Sequence, residues 1–268
     1  MVDYSRYKYL AVDVRGAIAF ITINRPDRMN ACNREDHAEF PRILRDLARD
    51  DELKVAVVTG AGRAFSVGAD LDLLEYMNTH PDELTELSNE AREIVNAHID
   101  LEKPIIAAIN GYAMGAAAIF GLLCDFVIVE RQAKIADGHV RAALAAGDGG
   151  ALIWPLAVGL TKAKRYLLTG DWINAQEAER IGLVTEVVEE GESLKRAAEI
   201  AERLAAGPQT AIRYTKRALN QWLRLGATTA FDYSLALEMM TFLTDDMRNA
   251  ARDLKAKGPG AIPPERAR

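Results

Sequence analysis

Two alternating runs open the chain, Leu10-Ala11-Val12-Asp13-Val14 and Ala17-Ile18-Ala19-Phe20-Ile21-Thr22-Ile23. They flank Arg15-Gly16, and a period of two on either side of such a dipeptide predicts a β-hairpin. From Asn33 to Ala48 the period lengthens: Phe40, Ile43, Leu44 and Leu47 fall on one face of an amphipathic helix. Val55 to Thr59 is a β-branched run of buried-strand length, and the glycines Gly60 and Gly62 open a loop that ends in Phe65-Ser66-Val67-Gly68-Ala69-Asp70. A long helix is expected over Pro81 to Leu101. A strand at Pro104 to Ile109, a polar turn from Asn110 to Gly115, a short apolar helix to Cys124 and a strand at Phe126 to Val129 follow. Beyond about residue 190 strand signals thin out, and 192–206, 208–225 and 227–244 read as helices. The pattern is therefore an α/β fold of repeated strand-strand-helix units over 1–200 with a helical region over 201–268.

Composition narrows the possibilities. With 268 residues, 49% hydrophobic and 27% charged, the chain can bury a sizeable core, so disorder and low-complexity structure are excluded. The net charge of -6, from 33 basic and 39 acidic residues, gives no footprint for nucleic acid. Two cysteines, Cys32 and Cys124, make no disulfide framework, which fits a reducing, cytoplasmic setting. The first ten residues lack a signal-peptide pattern. Pro104 to Cys124 is uncharged and long enough to span a bilayer, but Pro104, Asn110 and three glycines argue for strand, turn and buried helix instead. No membrane partner is expected.

Two segments, 55–70 and 105–118, share one design: a buried strand, a Gly-rich turn and a helix start. Backbone N–H groups at such turns lack intrahelical partners, and two converging on one point would polarise a carbonyl and stabilise an oxyanion. Tight turns packed on a core would show the same composition. Neither segment matches a phosphate-binding loop or a dinucleotide fingerprint.

Asn24-Arg25-Pro26, Ala64-Phe65-Ser66-Val67-Gly68-Ala69-Asp70-Leu71 and Pro104 to Gly115 together resemble the crotonase (enoyl-CoA hydratase/isomerase) superfamily. Cys124-Asp125, Gly159 to Gly170, and Ala175 to Ala178 with Gly182-Leu183-Val184 extend the resemblance over nearly the whole chain. It implies a ClpP-like spiral of ββα units, a C-terminal trimerisation region, and a homotrimer or a hexamer made of two trimers. It also implies an acyl-CoA substrate, with no cofactor beyond the coenzyme A that substrate carries and no metal. Carried over by position, the oxyanion donors are the N–H groups of Val67 and Ala116. Arg28, Met29, Ala31, Ser66, Ala69 and Asp70 fall where the family lines the CoA channel.

The hydratases of this family use two glutamates, a matched acid and base for adding water across an alkene. Here Ile119 occupies the first position and Gly138-His139 the second. Nine residues later, in Gly147-Asp148-Gly149-Gly150, comes an aspartate where the family has a small uncharged residue. Together they suggest a pair in which Asp148 orients His139 as a base toward water; the alternative role for Asp148 is to cap the next helix. A similar His, Gly-Asp-Gly, Trp-Pro spacing occurs in 6-oxocamphor hydrolase, a crotonase relative that cleaves carbon–carbon bonds of β-diketones. That relative also implicates a late glutamate, for which Glu238 is the candidate, and a second histidine, for which no match stands near the second loop. His98 lies on the preceding helix; His37 and His80 have no evident partner; Trp154-Pro155 reads as packing or as a wall of the acyl pocket. Three functions remain open: a hydratase or isomerase of acyl-CoA, a β-dicarbonyl hydrolase, and a non-catalytic acyl-CoA binder.

Overall fold

The computed structural model describes residues 2–257. Strands β1 (Leu10–Arg15) and β2 (Ile18–Ile23) form the expected hairpin, antiparallel with Val12 opposite Ile21. Three repeats then follow. Each lays one buried strand in a six-stranded sheet and one short strand in a second, four-stranded sheet. The first repeat is β3 (Val55–Gly60) and β4 (Ala64–Ser66), the second β5 (Ile105–Ile109) and β6 (Tyr112–Met114), the third β7 (Phe126–Glu130) and β8 (Lys134–Ala136). β9 (Ile173–Asn174) closes the small sheet and β10 (Glu186–Val188) the large one, whose order is β1-β2-β3-β5-β7-β10. Parallel pairing of β3, β5 and β7, with β3 and β5 buried at every position, explains their near-continuous apolar runs.

Before the repeats come α1 (Arg34–His37) and α2 (Glu39–Arg49). The single helix expected over 33–48 is thus broken. Pro41 has no N–H for the carbonyl of His37, so α1 ends there, while the proline itself is tolerated in the first turn of α2. A helix that the hydrophobic pattern did not mark, α3 (Leu71–Thr79), is capped by the Asp70 side chain. The helix expected from Pro81 begins as a 3₁₀ turn over Pro81–Glu83 and becomes α4 at Leu84–Asp100. α5 (Gly115–Leu122) completes the uncharged stretch, which begins and ends as the expected strand and short helix, with the short strand β6 inside the segment expected to be only a turn. α6 (Gly150–Thr169) is interrupted at Gly159 (φ +75°), and α7 spans Ala175–Arg180. Among the described residues no helix is long and apolar enough to cross a membrane.

Residue 200 lies inside α8 (Ser193–Ala205), which sets Ala197 and Ala201 against Val55, Val57, Ile106 and Ile128 of the large sheet. α9 (Gln209–Gly226) is pinned by Lys216, whose Nζ donates to Asp125 at 2.7 Å and to the Lys103 carbonyl at 2.9 Å. A π-helical turn, Ala227–Phe231, joins α9 to α10 (Asp232–Phe242), and α11 (Asp245–Lys257) packs back onto α3. The continuous helix expected over 227–244 is therefore a π turn plus α10, and α11 was not expected.

Candidate active site

The loops after β4 and β6 meet at two glycines. Gly68 (φ +80°) and Gly115 (φ +60°) adopt the left-handed conformation, and a Cβ on Gly68 would stand 2.8 Å from the Met114 carbonyl oxygen. Only glycine permits so close an approach. Ala69 and Ala116, each just after one of these glycines, line the same cavity of about 110 Å³. Ala116 sits in the first turn of α5, where N–H groups have no intrahelical acceptor. Among the described residues neither the Ala69 nor the Ala116 N–H has an acceptor. Val67 corrects the sequence reading: its N–H donates to the Met29 carbonyl at 3.2 Å, so it is engaged in holding the neighbouring loop.

Most residues expected along a CoA channel carry structural duties. The Ser66 hydroxyl, fully buried, donates to the Asn30 carbonyl at 2.6 Å. Asp70 caps α3 and pairs with Arg25 at 3.3 Å. Met29 and Ala31 are buried in a cluster with Ala64 and Val67. Ala69 lines the cavity and Arg28 is exposed.

At another part of the same cavity lies His139, buried in the 3₁₀ turn after β8. Its Nδ1 lies 2.8 Å from Asp137 Oδ1, and its Nε2 lies 3.3 Å from Asp148 Oδ2 and 3.7 Å from Glu238 Oε1. The structure thus brings together all three residues singled out in the sequence and adds Asp137, which was missed. The carboxylate at Nδ1, the position of an orienting partner, is Asp137; Asp148 stands at Nε2. Only the left-handed Gly138 (φ +80°) between Asp137 and His139 turns the chain enough for an i, i+2 contact, and no periodicity signals that. Nor does Asp148 cap α6, whose Ncap Gly149 has no side-chain partner.

The Gly147-Asp148-Gly149-Gly150 segment is glycine-rich because carboxylates and core side chains pack against it. A Cβ on Gly147 would lie 2.5 Å from Glu238 Cβ, one on Gly149 2.7 Å from Ile119 Cγ2, and one on Gly150 2.3 Å from Asp137 Oδ2. Ile119, where a hydratase glutamate was sought, is core. Trp154 is fully buried, tilted against Tyr166, and does not line this cavity.

Electrostatics follow from geometry. Burial alone would lower the His139 pKa, but the facing carboxylates of Asp148 and Asp137 outweigh it and hold the pKa well above the usual histidine value. With a carboxylate at each nitrogen the ring is an imidazolium. Burial, reinforced by Asp148 and Asp137 and opposed by His139, raises Glu238 to about 8. Asp137 Oδ2, Asp148 Oδ1 and Glu238 Oε2 are buried without a hydrogen-bond partner in the protein, so the cluster has oxygens available for protons or water. His139, Asp148 and Glu238 also place one donor atom each within 4.8 Å of one another. A cation there would have to displace the imidazolium proton, and that proton already supplies the positive charge. Apart from His37 and Arg141 the rest of the cavity is apolar, with Leu73, Leu74, Leu87, Leu144 and Phe242 in its wall.

The other histidines divide. His98 is buried beside Phe120, its Nδ1 on the Ile94 carbonyl. His80 is bound to its own helix end. His37, read as partnerless, pairs with Glu90 at 2.7 Å and lines the cavity.

Residues 13–259 match the family described as enoyl-CoA hydratase/isomerase. A short-chain-enoyl-CoA hydratase of Clostridium acetobutylicum is 32% identical, with 89% of this chain and 91% of that protein aligned. The crystal structure of an enoyl-CoA hydratase/isomerase from Mycobacterium paratuberculosis superposes with a TM-score of 0.90 at 37% identity, covering 94% of this chain and all of that one. A β-diketone hydrolase from the cyanobacterium Anabaena, bound to (S)-3-oxocyclohexyl acetic acid, superposes with a TM-score of 0.83 at 30% identity, covering 90% and 96%.

Proposed function

Because this chain belongs to the enoyl-CoA hydratase/isomerase (crotonase) family of enzymes, we propose that it uses the family's carbonyl-polarising loops to add water to one carbonyl of a β-dicarbonyl compound and cleave the adjoining carbon–carbon bond. The observation that carries this reading is the His139 cluster: three carboxylates and one imidazolium at one part of an apolar cavity, with a core isoleucine at position 119. Enoyl hydration needs a matched acid and base beside the two alkene carbons. Hydrolysis needs a water-activating group at a single carbonyl, and later a proton for the carbon that leaves.

The steps balance as follows. The substrate carbonyl oxygen accepts from the Ala69 and Ala116 N–H groups. Water attacks that carbon while Asp148, through its uncommitted Oδ1, takes the water proton, and the His139 imidazolium, oriented by Asp137, holds the other Asp148 oxygen. Collapse of the tetrahedral oxyanion breaks the carbon–carbon bond and leaves an enolate. Glu238, neutral below pH about 8, protonates the enolate carbon, and the proton on Asp148 restores it. The products are a carboxylic acid and a ketone. The Anabaena neighbour, a β-diketone hydrolase by its description, supports this reading. The half that takes up the water leaves as a free acid; were the substrate a 3-oxoacyl-CoA, the thioester would stay on the enolate half.

A second reading, hydration or isomerisation of an enoyl-CoA, draws on the hydratases among the sequence relatives; Asp148 and Glu238 would then stand in for the two glutamates. Purified protein assayed in parallel on crotonyl-CoA, by loss of enoyl-thioester absorbance, and on cyclic β-diketones, by loss of enolate absorbance, tests both. Diketone cleavage abolished in His139→Ala is expected; rapid crotonyl-CoA hydration without diketone cleavage would overturn the first reading in favour of the second. Binding of a CoA thioester without turnover of either substrate would mark a silent binder.

An oligomer is part of the proposal. Leu156, Leu160 and Leu168 on α6, Leu219, Trp222 and Leu225 on α9, and Met240 and Leu243 at the end of α10 are between 48% and 73% exposed in the single chain, apolar surface that a subunit interface would remove from water. Leu235 and Phe242 of α10, by contrast, are buried within the chain. A trimer or a hexamer would cover the exposed set, and sedimentation at the mass of one chain at micromolar concentration would refute it.

A further inference from the structure

A second oriented histidine stands in the wall of the catalytic cavity. His37 ends α1, whose first turn is fixed by a reciprocal cap between Asn33 and Asp36. Its Nδ1 lies 2.7 Å from Glu90 Oε2 on α4, and Arg34 donates to that same oxygen at 2.7 Å. The side chains of His37 and Glu90 are 10% and 14% exposed. Glu90 is therefore an anchored anion, held below the usual glutamate range because His37 and Arg34 outweigh its burial. A carboxylate on Nδ1 fixes the ring and its tautomer, which leaves Nε2 as the only uncommitted polar atom of His37; among the described residues it has no protein partner.

The location is informative. An adjoining apolar cavity of about 30 Å³ shares His37, Gly68, Ala69, Leu73 and Ala116 with the main one. His37 thus belongs to the wall that carries the Ala69 and Ala116 N–H groups, and Asp137, His139, Asp148 and Glu238 line the main cavity alone. A polar atom on an oriented ring in an otherwise apolar wall has a use only if the ligand brings a polar atom to it. A simple enoyl or acyl group has one carbonyl oxygen, already served by the two N–H groups.

We infer that His37, oriented by Glu90, binds the second oxygen of a 1,3-dioxygenated substrate through a hydrogen bond at Nε2. The inference rests on the C–C hydrolase reading for its substrate class, but it concerns binding alone. His37 is then the residue by which the site selects a β-dicarbonyl compound over a monocarbonyl one.

Calorimetric titration separates the two claims. Cyclohexane-1,3-dione and cyclohexanone, which differ by the second oxygen, are titrated into wild type, His37→Phe, His37→Gln and Glu90→Gln, with circular dichroism to confirm folding. The wild type is expected to prefer the dione. His37→Phe should weaken dione binding at least tenfold and leave cyclohexanone unchanged; His37→Gln should restore part of the loss, and Glu90→Gln should show a smaller, still dione-selective loss. Equal weakening of both ligands, or no weakening of either, would overturn the inference, as would a wild type without preference. If His37→Phe does not fold, Glu90→Gln alone decides, since it retains the ring and removes only its anchor. A dione that binds selectively but is never cleaved would sink the hydrolase and leave the role of His37 standing.

Discussion

His139 and His98 are both buried, at 8% and 2% exposure, yet their proton affinities move in opposite directions. His98 stands among Ile94, Phe120 and the rest of the core on α4; burial drops its pKa to about 4, assisted by Lys216 and opposed by its bond to the Ile94 carbonyl. His139 suffers the same burial, but Asp137 and Asp148 face its two nitrogens. Burial alone therefore says little about a histidine: the neighbouring carboxylates decide whether it becomes a neutral core residue or a buried cation. The difference also marks function, because a buried cation among carboxylates with uncommitted oxygens can move protons, whereas His98 has one backbone acceptor and an aromatic neighbour.

The sharpest way to break the comparison is to remove the ring that carries charge. His139→Ala is expected to lower kcat on the true substrate by ~10²–10⁴-fold, and Asp148→Asn to do nearly as much. His98→Phe should leave turnover within about twofold, read in the same steady-state assay. If the two histidine variants behaved alike, the distinction drawn from their partners would be wrong.

Next comes stability in acid. His98 has a folded pKa below its unfolded value, so the folded protein binds fewer protons there than the unfolded chain. Its contribution is complete above pH 6.5 and lost as pH falls toward 4, on the order of 3 kcal/mol over that window. Denaturant midpoints at pH 7 and pH 4.5 should fall less steeply in His98→Phe than in wild type. His139 and Glu238 act with the other sign: their folded pKa values lie above the unfolded ones, so their contribution is complete at low pH and is lost as pH rises, for Glu238 between about 4.5 and 8. Glu238→Gln should flatten that alkaline decline, and a pH–rate profile should lose the limb that wild type shows near pH 8.

A smaller change tests the packing beneath the cluster. Gly150→Ala would place a Cβ 2.3 Å from Asp137 Oδ2, so it should displace the carboxylate that orients His139. A kcat loss of about tenfold with little change in KM is expected from steady-state kinetics. Smallest of all, dialysis against a chelator should leave turnover unchanged, since the imidazolium supplies the positive charge of the cluster.

Much of the scaffold was legible because burial writes a period into the sequence. β1 and β2 alternate, β3 and β5 are continuously apolar, and each matched its expected span within a residue or two. What escaped depends on contacts between distant or specially turned segments. α3 is marked by the Asp70 cap more than by its face, and the break before α2 comes from a proline lacking one N–H. At the site, His139 and Asp148, 9 residues apart, were readable as departures from a family pattern, and Glu238, 90 residues further on, by likeness to one relative's late glutamate. Asp137 was not, because its contact depends on the backbone angle of Gly138. Val67 was misplaced because sequence shows which residues form a loop, but not which N–H group is spent on Met29 across from it. His37 looked solitary for the same reason: Glu90 is 53 residues away, on another helix.

The contact between Gly68 and Gly115 bears on how this site can change over generations. Its polarising groups belong to the main chain, so residues 69 and 116 can drift among small side chains, reshaping the cavity wall without erasing the chemistry. Position 68 has no such latitude: a methyl group there meets the Met114 carbonyl at 2.8 Å on a left-handed backbone. New substrates can therefore be reached by gradual replacement around a fixed pair of donors, while the donors are lost only in a single abrupt step.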